Sequence, residues 1–531
     1  MSYNGRGGYQ RGGYQKRTWT PPPKDRRRIQ NASEYQQAIF AAVQEAGQQV
    51  LNNFRLGVRS VVGIHVDALA GCGKTSTSVE KDYFLPAELL RAIQGNFGDV
   101  ISVAFNADIA KVLQTRVADG VEGLTIHALG RRALVERFPR LKRKEALDTR
   151  KYLGYIEAEV GDEPETMVLR ENLRLMMDRA RDQLAFTAEA MLPILDQFNM
   201  ETGDLNDEEF CKLACKILHA GLRDTDRMDF GDMIAMPVYH NLPMRRYAVV
   251  SVDEYQDLCP AQHELLDRSV KPGGLMFTVG DSNQAIYLWR GADSESIDRG
   301  VARYNSKRYI LPRTYRCGKA IVAYAQRYVP EFECPETAHQ GEVVEDMSIE
   351  QMLHEAKPGS FILSRLNAPL LTLCFSLIRL GIPANIKGRD VGEHLKYMVK
   401  RSKAETVDDL LGWVNEWEHS QCDRLQKRNK PTQSVTDTAA CIRTLCEGRY
   451  TIADVRKAID VAFPEKCGDN IVTLMSIHKS KGLEAKIVYV LESTMFLPKG
   501  NPREEQNLAW VACTRAMDRL CMVQGRPNNG E

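Results

Sequence analysis

This sequence is short of several things, and each shortage excludes something. No stretch approaches the ~20 consecutive apolar residues an α-helix needs to cross a bilayer, which excludes a helical membrane span and a membrane partner. The N-terminus opens on Gly, Arg and Tyr without the apolar run of a secretory signal. The thirteen cysteines fall into no repeated pattern of close pairs, so they read as reduced thiols in a cytosol-like compartment. The expected location is the cytoplasm or nucleoid, or the nucleus if the source is eukaryotic. Excess charge is missing too: 71 Lys and Arg stand against 70 Asp and Glu, a formal +1. Treated as uniform, that balance argues against a nucleic-acid binder. The charge is not uniform.

Residues 1–28 hold eight basic side chains and one acid, a local +7 that leaves −6 for the rest of the chain. Glycine pairs, Pro21–Pro22–Pro23 and few aliphatics leave nothing to build a core from, so a disordered basic tail is expected. Tyr3, Tyr9, Tyr14 and Trp19 alternate with Arg and Gly. Such rings can stack on bases while Arg neutralises phosphates; a solvated leader without a specific role fits the same composition. The full 531 residues suggest roughly two to four domains.

The most informative stretch is Val61–Glu80. An apolar strand-like run leads into Ala70-Gly71-Cys72-Gly73-Lys74-Thr75-Ser76, and a helix-compatible segment follows. Counted from Ala68, the loop has the form Ala-x-x-Gly-x-Gly-Lys-Thr. Glycines let backbone N–H groups close around phosphate oxygens, Lys74 reaches the β- and γ-phosphates, and the Thr75 hydroxyl binds Mg²⁺. The ligands expected are therefore a nucleoside triphosphate and Mg²⁺. A nucleotide site of this kind needs a second, acidic element. Residues 247–252 form a continuous apolar run of the buried parallel-strand type, followed at once by Asp253-Glu254-Tyr255-Gln256-Asp257. At that strand end, Asp253 would hold Mg²⁺ and Glu254 would polarise water.

Further segments follow in order. Ser33–Ala38 holds Gln36 and Gln37; Ser102-Val103-Ala104-Phe105-Asn106-Ala107 and Thr125-Ile126-His127-Ala128-Leu129-Gly130 come next. Gly280–Ala292 contains Gln284, Tyr287 and Trp289; Tyr315-Arg316-Cys317, Ser476–Glu484 and Val511–Ala516 complete the set. Together these resemble the UvrD/Rep/PcrA-like helicases of superfamily one, over about residues 30–525. The resemblance implies α/β architecture: two RecA-like P-loop motor domains, each a mainly parallel sheet covered by helices, each with a helical insertion. It implies that the nucleotide is ATP, that Gln36 reads adenine, Tyr315 stacks beside it and Glu484 contacts ribose. Gln284 would sense the γ-phosphate, Arg316 would reach it, and Arg515 would be an arginine finger supplied across the cleft. Phe105, Asn106, Thr125, His127, Tyr287, Trp289 and His478 would meet single-stranded DNA. His127 and His478 lack metal-ligand companions, so DNA-backbone contact or polar packing is expected of them rather than a metal site.

Two departures stand out. Ser76 follows Thr75 where these helicases often carry Arg, and Ala104–Ala107 lacks the usual phosphate-contacting Lys, for which Lys111 is the nearby substitute.

Motif spacing gives this expected division: a basic tail 1–28; first motor domain 29–130 and 226–310; helical insertion 131–225; second motor domain 311–393 and 469–531; short second insertion 394–468. Tyr309–Leu311, Phe361–Leu363, Ile487–Leu491 and Leu520–Val523 are read as strands of the second domain. Trp413 and Trp417 at i,i+4 read as core; Cys211 and Cys215 read as packed or surface thiols. No fused nuclease domain is expected after the last motif.

The expected function is an ATP-dependent DNA helicase moving 3′→5′ on single strands and acting at single/double-strand junctions. A single-strand-binding, replication or recombination protein would be its partner. The alternatives are a translocase that strips proteins from single strands, an RNA helicase, and a scaffold with a vestigial ATPase. On this reading the tail supplies long-range attraction. Deleting residues 1–28 should weaken DNA binding more at low salt than at high salt, with the maximal ATPase rate unchanged. Equal affinity at low salt would return the tail to a solvated leader.

Overall fold

The computed structural model describes residues 29, 31–91, 99–104, 115–287, 295–428, 430–464, 470–497 and 501–525. Two six-stranded sheets organise them. The first comprises β1 (Val62–Ala68), β2 (Val100–Ala104), β3 (Val121–Thr125), β4 (Tyr247–Val252), β5 (Val270–Gly280) and β6 (Lys307–Leu311), in the order β3-β2-β4-β5-β1-β6. The second comprises β7 (Glu342–Ser348), β8 (Phe361–Ser364), β9 (Ala384–Ile386), β10 (Val472–Ser476), β11 (Ala485–Leu491) and β12 (Ala516–Gln524), in the order β7-β12-β11-β8-β10-β9. Every pairing within the two sheets is parallel. This is the α/β architecture of two RecA-like domains expected from the sequence.

Parallel sheets need cover on both faces, and the side chains divide accordingly. In β4 all six residues are buried. Val249 joins a core with Val43 of helix Glu34–Leu56, Val66 and Phe277. Its neighbour Val250 joins the opposite core, with Ile126, Leu129 and Leu265. Helix Glu34–Leu56 starts at a reciprocal cap: Ser33 Oγ accepts from Gln36 N–H, and Gln36 Oε1 accepts from Ser33 N–H. One strand assignment is corrected. Tyr309–Leu311 lies in β6, which pairs with β1 at the edge of the first sheet, not in the second. A run of three apolar residues before Pro312 carries no information about which distant strand it pairs with.

Helices Lys151–Val160, Met167–Asp182, Ala188–Gln197 and Asp207–Arg223 build their own core around Met176, Met177, Phe210 and Leu218. Cys211 belongs to that core, and the Cys215 thiol donates to the Phe186 carbonyl. A buried polar network ties these helices to helix Phe230–Tyr239. Asp232 accepts from Lys151 at 2.7 Å, from the Tyr152 hydroxyl at 2.8 Å and from Arg181 at 3.1 Å.

Helices Val407–Lys427, Gln433–Cys446 and Ile452–Ala462 accompany the second sheet. Trp413 and Trp417 stack at 6.1 Å and pack against its core. The two helical groups also meet each other. Arg401 pairs with Glu201, Lys403 with Glu165, Arg428 with Asp207 and Lys430 with Asp196; Arg424 donates to the carbonyls of Asn199 and Met200. Among the described residues, no helix is long and apolar enough to cross a membrane.

Candidate functional site

β4, β5 and β1 are adjacent, so the residues following their carboxyl ends converge at one edge of the first sheet. A cavity of ≈ 580 Å³ lies there, closed on its far side by loops of the second sheet. Its walls include the whole loop Ala70, Gly71, Cys72, Gly73, Lys74, Thr75 and Ser76. Glu254, Gln284, Tyr315, Arg316, Glu484 and Arg515 complete the enclosure.

The loop's shape depends on two glycines in the left-handed region, Gly71 at φ 70° and Gly73 at φ 80°. A Cβ on Gly71 would lie 2.6 Å from Thr314 Oγ1 and 2.7 Å from Arg316 Cβ. The loop is therefore pressed against the segment carrying Tyr315 and Arg316, and Tyr315 N–H donates to the Gly71 carbonyl at 2.9 Å. Tyr315 is 57% exposed and lines the cavity. It offers a flat apolar face to a ring-shaped ligand.

Lys74 Nζ sits 3.3 and 3.4 Å from the two carboxylate oxygens of Glu254. Burial opposes its charge, but Glu254, Asp253 and Asp281 outweigh burial and hold the ammonium above its ordinary pKa. Glu254 has φ 53°, a costly conformation for a residue with a Cβ. It aims the carboxylate at the cavity, where the Gln256 amide donates to it at 2.6 Å. Burial would raise its pKa; Lys74, Lys481 and Gln256 reverse that and keep it ionised. Asp253 is pushed the other way, by burial and then by the Glu254 charge. Thr75 Oγ1 donates to Asp253 Oδ2 at 3.5 Å. These are neighbouring hard oxygen donors, a set that fits Mg²⁺.

Gln284 is buried at the cavity wall and donates to Asp281 Oδ2 at 2.6 Å. Arg316 donates to Glu484 at 2.5 Å and to the Thr514 carbonyl at 3.1 Å. Arg515 is wholly buried, with its guanidinium bonded to the carbonyls of Val511 and Leu483 and to Thr514 Oγ1. Burial, then the Arg316 charge, lower its pKa to about 9.

Gln36 is brought close but not into the cavity. Its amide spans from the Ser33 N–H to Thr77 Oγ1 at 2.9 Å, one layer behind the loop. Thr125 spends its hydroxyl capping helix Ile126–Arg137 through Ala128 N–H. His127 is half-buried, which lowers its pKa, and its ring meets Phe230 edge-on at 6.1 Å. The Tyr287 hydroxyl donates to the His478 carbonyl at 3.1 Å, joining the two sheets' loops. Phe105, Asn106, Lys111 and Trp289 lie outside the described residues.

Residues 59–304 match the profile of the UvrD/REP helicase N-terminal domain, and residues 389–526 that of the UvrD-like helicase C-terminal domain. The chain belongs to the UvrD/Rep helicase family. This UvrD/Rep-type chain is 23% identical over 481 residues to a probable DNA helicase of Mycoplasma pneumoniae, covering 86% of this chain and 79% of that protein. It is 25% identical over 290 residues to the ATP-dependent DNA helicase PcrA of Bacillus subtilis, covering 49% of this chain and 36% of that protein. It is 24% identical over 253 residues to the ATP-dependent DNA helicase Rep of Buchnera aphidicola, covering 43% and 36%. The matched stretches thus span about a third of the PcrA and Rep proteins.

Several side chains in this UvrD/Rep-type site had no role in the sequence reading. Lys481 crosses from the second sheet to contact both Asp257 oxygens at 2.7 Å and the Gln284 carbonyl at 2.7 Å. Both partners were inside recognised motifs, so a search for unassigned charges there would have flagged them. Arg116 donates to Ser76 Oγ at 3.4 Å, bringing a guanidinium to the end of the phosphate loop. Phe230 is 52% exposed beside His127 and offers a further aromatic face.

The Lys481–Asp257 pair is almost fully buried. Removing one partner strands the other, which costs about 3 kcal/mol. Lys481→Ala should therefore lower stability by roughly that amount in calorimetric unfolding, and the double variant Lys481→Met, Asp257→Leu should recover most of it. A single variant as stable as the parent would refute the buried pair.

Proposed function

We propose that this chain is an ATP-dependent DNA helicase that moves 3′→5′ on single-stranded DNA and unwinds duplexes from single/double-strand junctions. The observation that carries the reading is the cavity itself: the phosphate loop, the Asp253–Glu254 pair and Gln284 lie on one side, and Arg316, Glu484 and Arg515 on the other. A nucleotide between them would be gripped by both motor domains at once. The division into two motor domains interrupted by two insertions belongs to the same proposal, and the 3′→5′ direction follows the family resemblance.

The loop from Ala70 to Ser76 would cradle the phosphates through its N–H groups, with Lys74 leaving Glu254 for the β/γ oxygens. Thr75 and Asp253 would hold Mg²⁺, which when bound neutralises charge on the transferring phosphoryl group. Glu254, with the Lys481 charge and the Gln256 amide still favouring its ionised form once Lys74 has turned to the phosphates, would accept the proton of the attacking water. Gln284 would orient that water and the γ-phosphate. Arg316 and Arg515 would stabilise charge on the equatorial oxygens as the cleft closes. Tyr315 would stack on adenine, Glu484 would meet ribose, and Gln36 would support the loop from behind. Arg116 would supply the cation that Ser76 lacks.

Single-stranded DNA would run over Thr125, His127 and Phe230 on one domain and Tyr287, Trp289 and His478 at the junction, with Phe105 and Asn106 beside them. Stacking on such rings tolerates any base. Alternate tightening of the two grips in each ATP cycle would give stepping.

A second reading drops strand separation and keeps single-strand translocation with displacement of bound proteins. It is favoured by the second insertion, whose Arg401, Lys403, Arg424, Arg428 and Lys430 are engaged with the first insertion instead of facing outward to a duplex.

The deciding experiment offers duplexes with 3′ or 5′ single-stranded tails, as DNA and as RNA, with a Lys74→Ala control expected to be inactive. Unwinding of 3′-tailed DNA alone is the expected result. Unwinding only from 5′ tails would reverse the direction, and displacement of a bound protein without unwinding would select the second reading. Arg515→Ala should keep ATP affinity while losing about 10³-fold in turnover. Wild-type turnover in that variant would remove Arg515 from the phosphoryl-transfer site.

A further inference from the structure

The loop Asp281–Tyr287 carries Gln284 and follows a strand of the first sheet, yet the carbonyls of Ser282, Gln284 and Ala285 accept from the second domain. Asn507 Nδ2 donates to the Ser282 carbonyl at 3.1 Å and to the Ala285 carbonyl at 2.9 Å. Between those two contacts, the Gln284 carbonyl accepts from Lys481. Both Asn507 partners are carbonyl oxygens, so only the NH₂ end of the amide can face them. Asn507 is 6% exposed, and its two bonds are made where water does not compete.

Asn507 lies mid-way along helix Pro502–Cys513, and Arg515 lies just past its C-cap, Thr514. The rise from Asn507 to Cys513 is about 9 Å along a single rigid axis. One end of the element therefore grips the loop that carries Gln284, and the other positions Arg515. Helices transmit displacement as rigid bodies, whereas a loop held only by its own strand would move with that strand.

We propose that Asn507 is a positioning residue that yokes the γ-phosphate-sensing loop of the first motor domain to the arginine-bearing helix of the second. Gln284 and Arg515 then reach the nucleotide together, and Tyr287 at the far end of the loop carries the same movement to the strand track. This inference rests on the ATP-driven DNA motor reading, and adds the mechanical link between nucleotide state and DNA grip. Asn507 touches neither nucleotide nor DNA; it acts through the loop.

The first measurement is wild-type ATPase with and without single-stranded DNA. An absence of stimulation would count against the motor reading itself. With stimulation present, Asn507→Ala and Asn507→Asp are compared with it. Loss of the two bonds should reduce the DNA-stimulated rate about tenfold, and more for Asp, whose carboxylate would face two carbonyl oxygens. KM for ATP and affinity for a fluorescent ATP analogue should stay at wild-type values while that rate falls, a split that general loosening of the fold would not produce. Full DNA stimulation in Asn507→Ala overturns the proposal, as does a loss of stimulation matched by an equal loss of nucleotide affinity. Hydrogen exchange on the unmodified chain gives a second arm that no folding defect can obscure. Segments 281–287 and 502–513 should gain protection together when a non-hydrolysable ATP analogue binds. Protection of one without the other overturns the yoke.

Discussion

The structure turns on an ammonium held among carboxylates. Lys74 is half-buried against Glu254, with Asp253 and Asp281 close enough to raise its pKa. A charge in that position is tolerable only because the strand order β4-β5-β1 delivers the acids to the same edge as the loop. The arrangement dictates much else. Glu254 adopts a left-handed backbone to face Lys74. Gln256 turns inward, its amide donating to Glu254 and its carbonyl accepting from Asp281 N–H. On the proposed reading, a triphosphate entering the cavity would replace one set of oxygens around Lys74 with another, so binding would exchange partners.

A second lysine, this one buried, repeats the principle between domains. Lys481 faces Asp257 and the Gln284 carbonyl, and Asn507 holds the carbonyls on either side of that one. Two side chains at the cleft, Lys481 and Asn507, thus bond to atoms of the opposite domain. Such contacts have few alternative arrangements, which favours discrete positions of the two sheets over continuous drift.

Much of this was legible in the sequence because residue type alone carries the chemistry. A loop of Gly-x-Gly-Lys-Thr and an acidic pair after an apolar run need no partner to be recognised, and the parallel sheets follow from continuous apolar strands such as Tyr247–Val252. The remainder depends on contacts between distant parts of the chain. Lys481 and Asp257 are 224 residues apart, and Asn507 and Ala285 are 222 apart; nothing local marks either pair. β6 was misplaced for the same reason, since pairing with β1 is a property of the sheet and not of Tyr309–Leu311. Thr125 illustrates a different limit: a hydroxyl before a helix can face a ligand or cap the helix, and the sequence is identical in both cases.

The seam between the two helical insertions has a consequence of another kind. Pairs such as Lys403–Glu165 are solvent-exposed, and the helices on the two sides pack into separate apolar cores, the second of them shared with strands of the second sheet. Exposed pairs contribute less than about 1 kcal/mol apiece and are screened by salt. The seam is thus a reversible joint that can part without unfolding either side, held by the sum of several weak attractions. Mobile ions act on it as they act on attraction to a phosphate backbone. Ionic strength therefore tunes two properties of the molecule at once, how firmly the insertions stay together and how strongly a nucleic acid is drawn in.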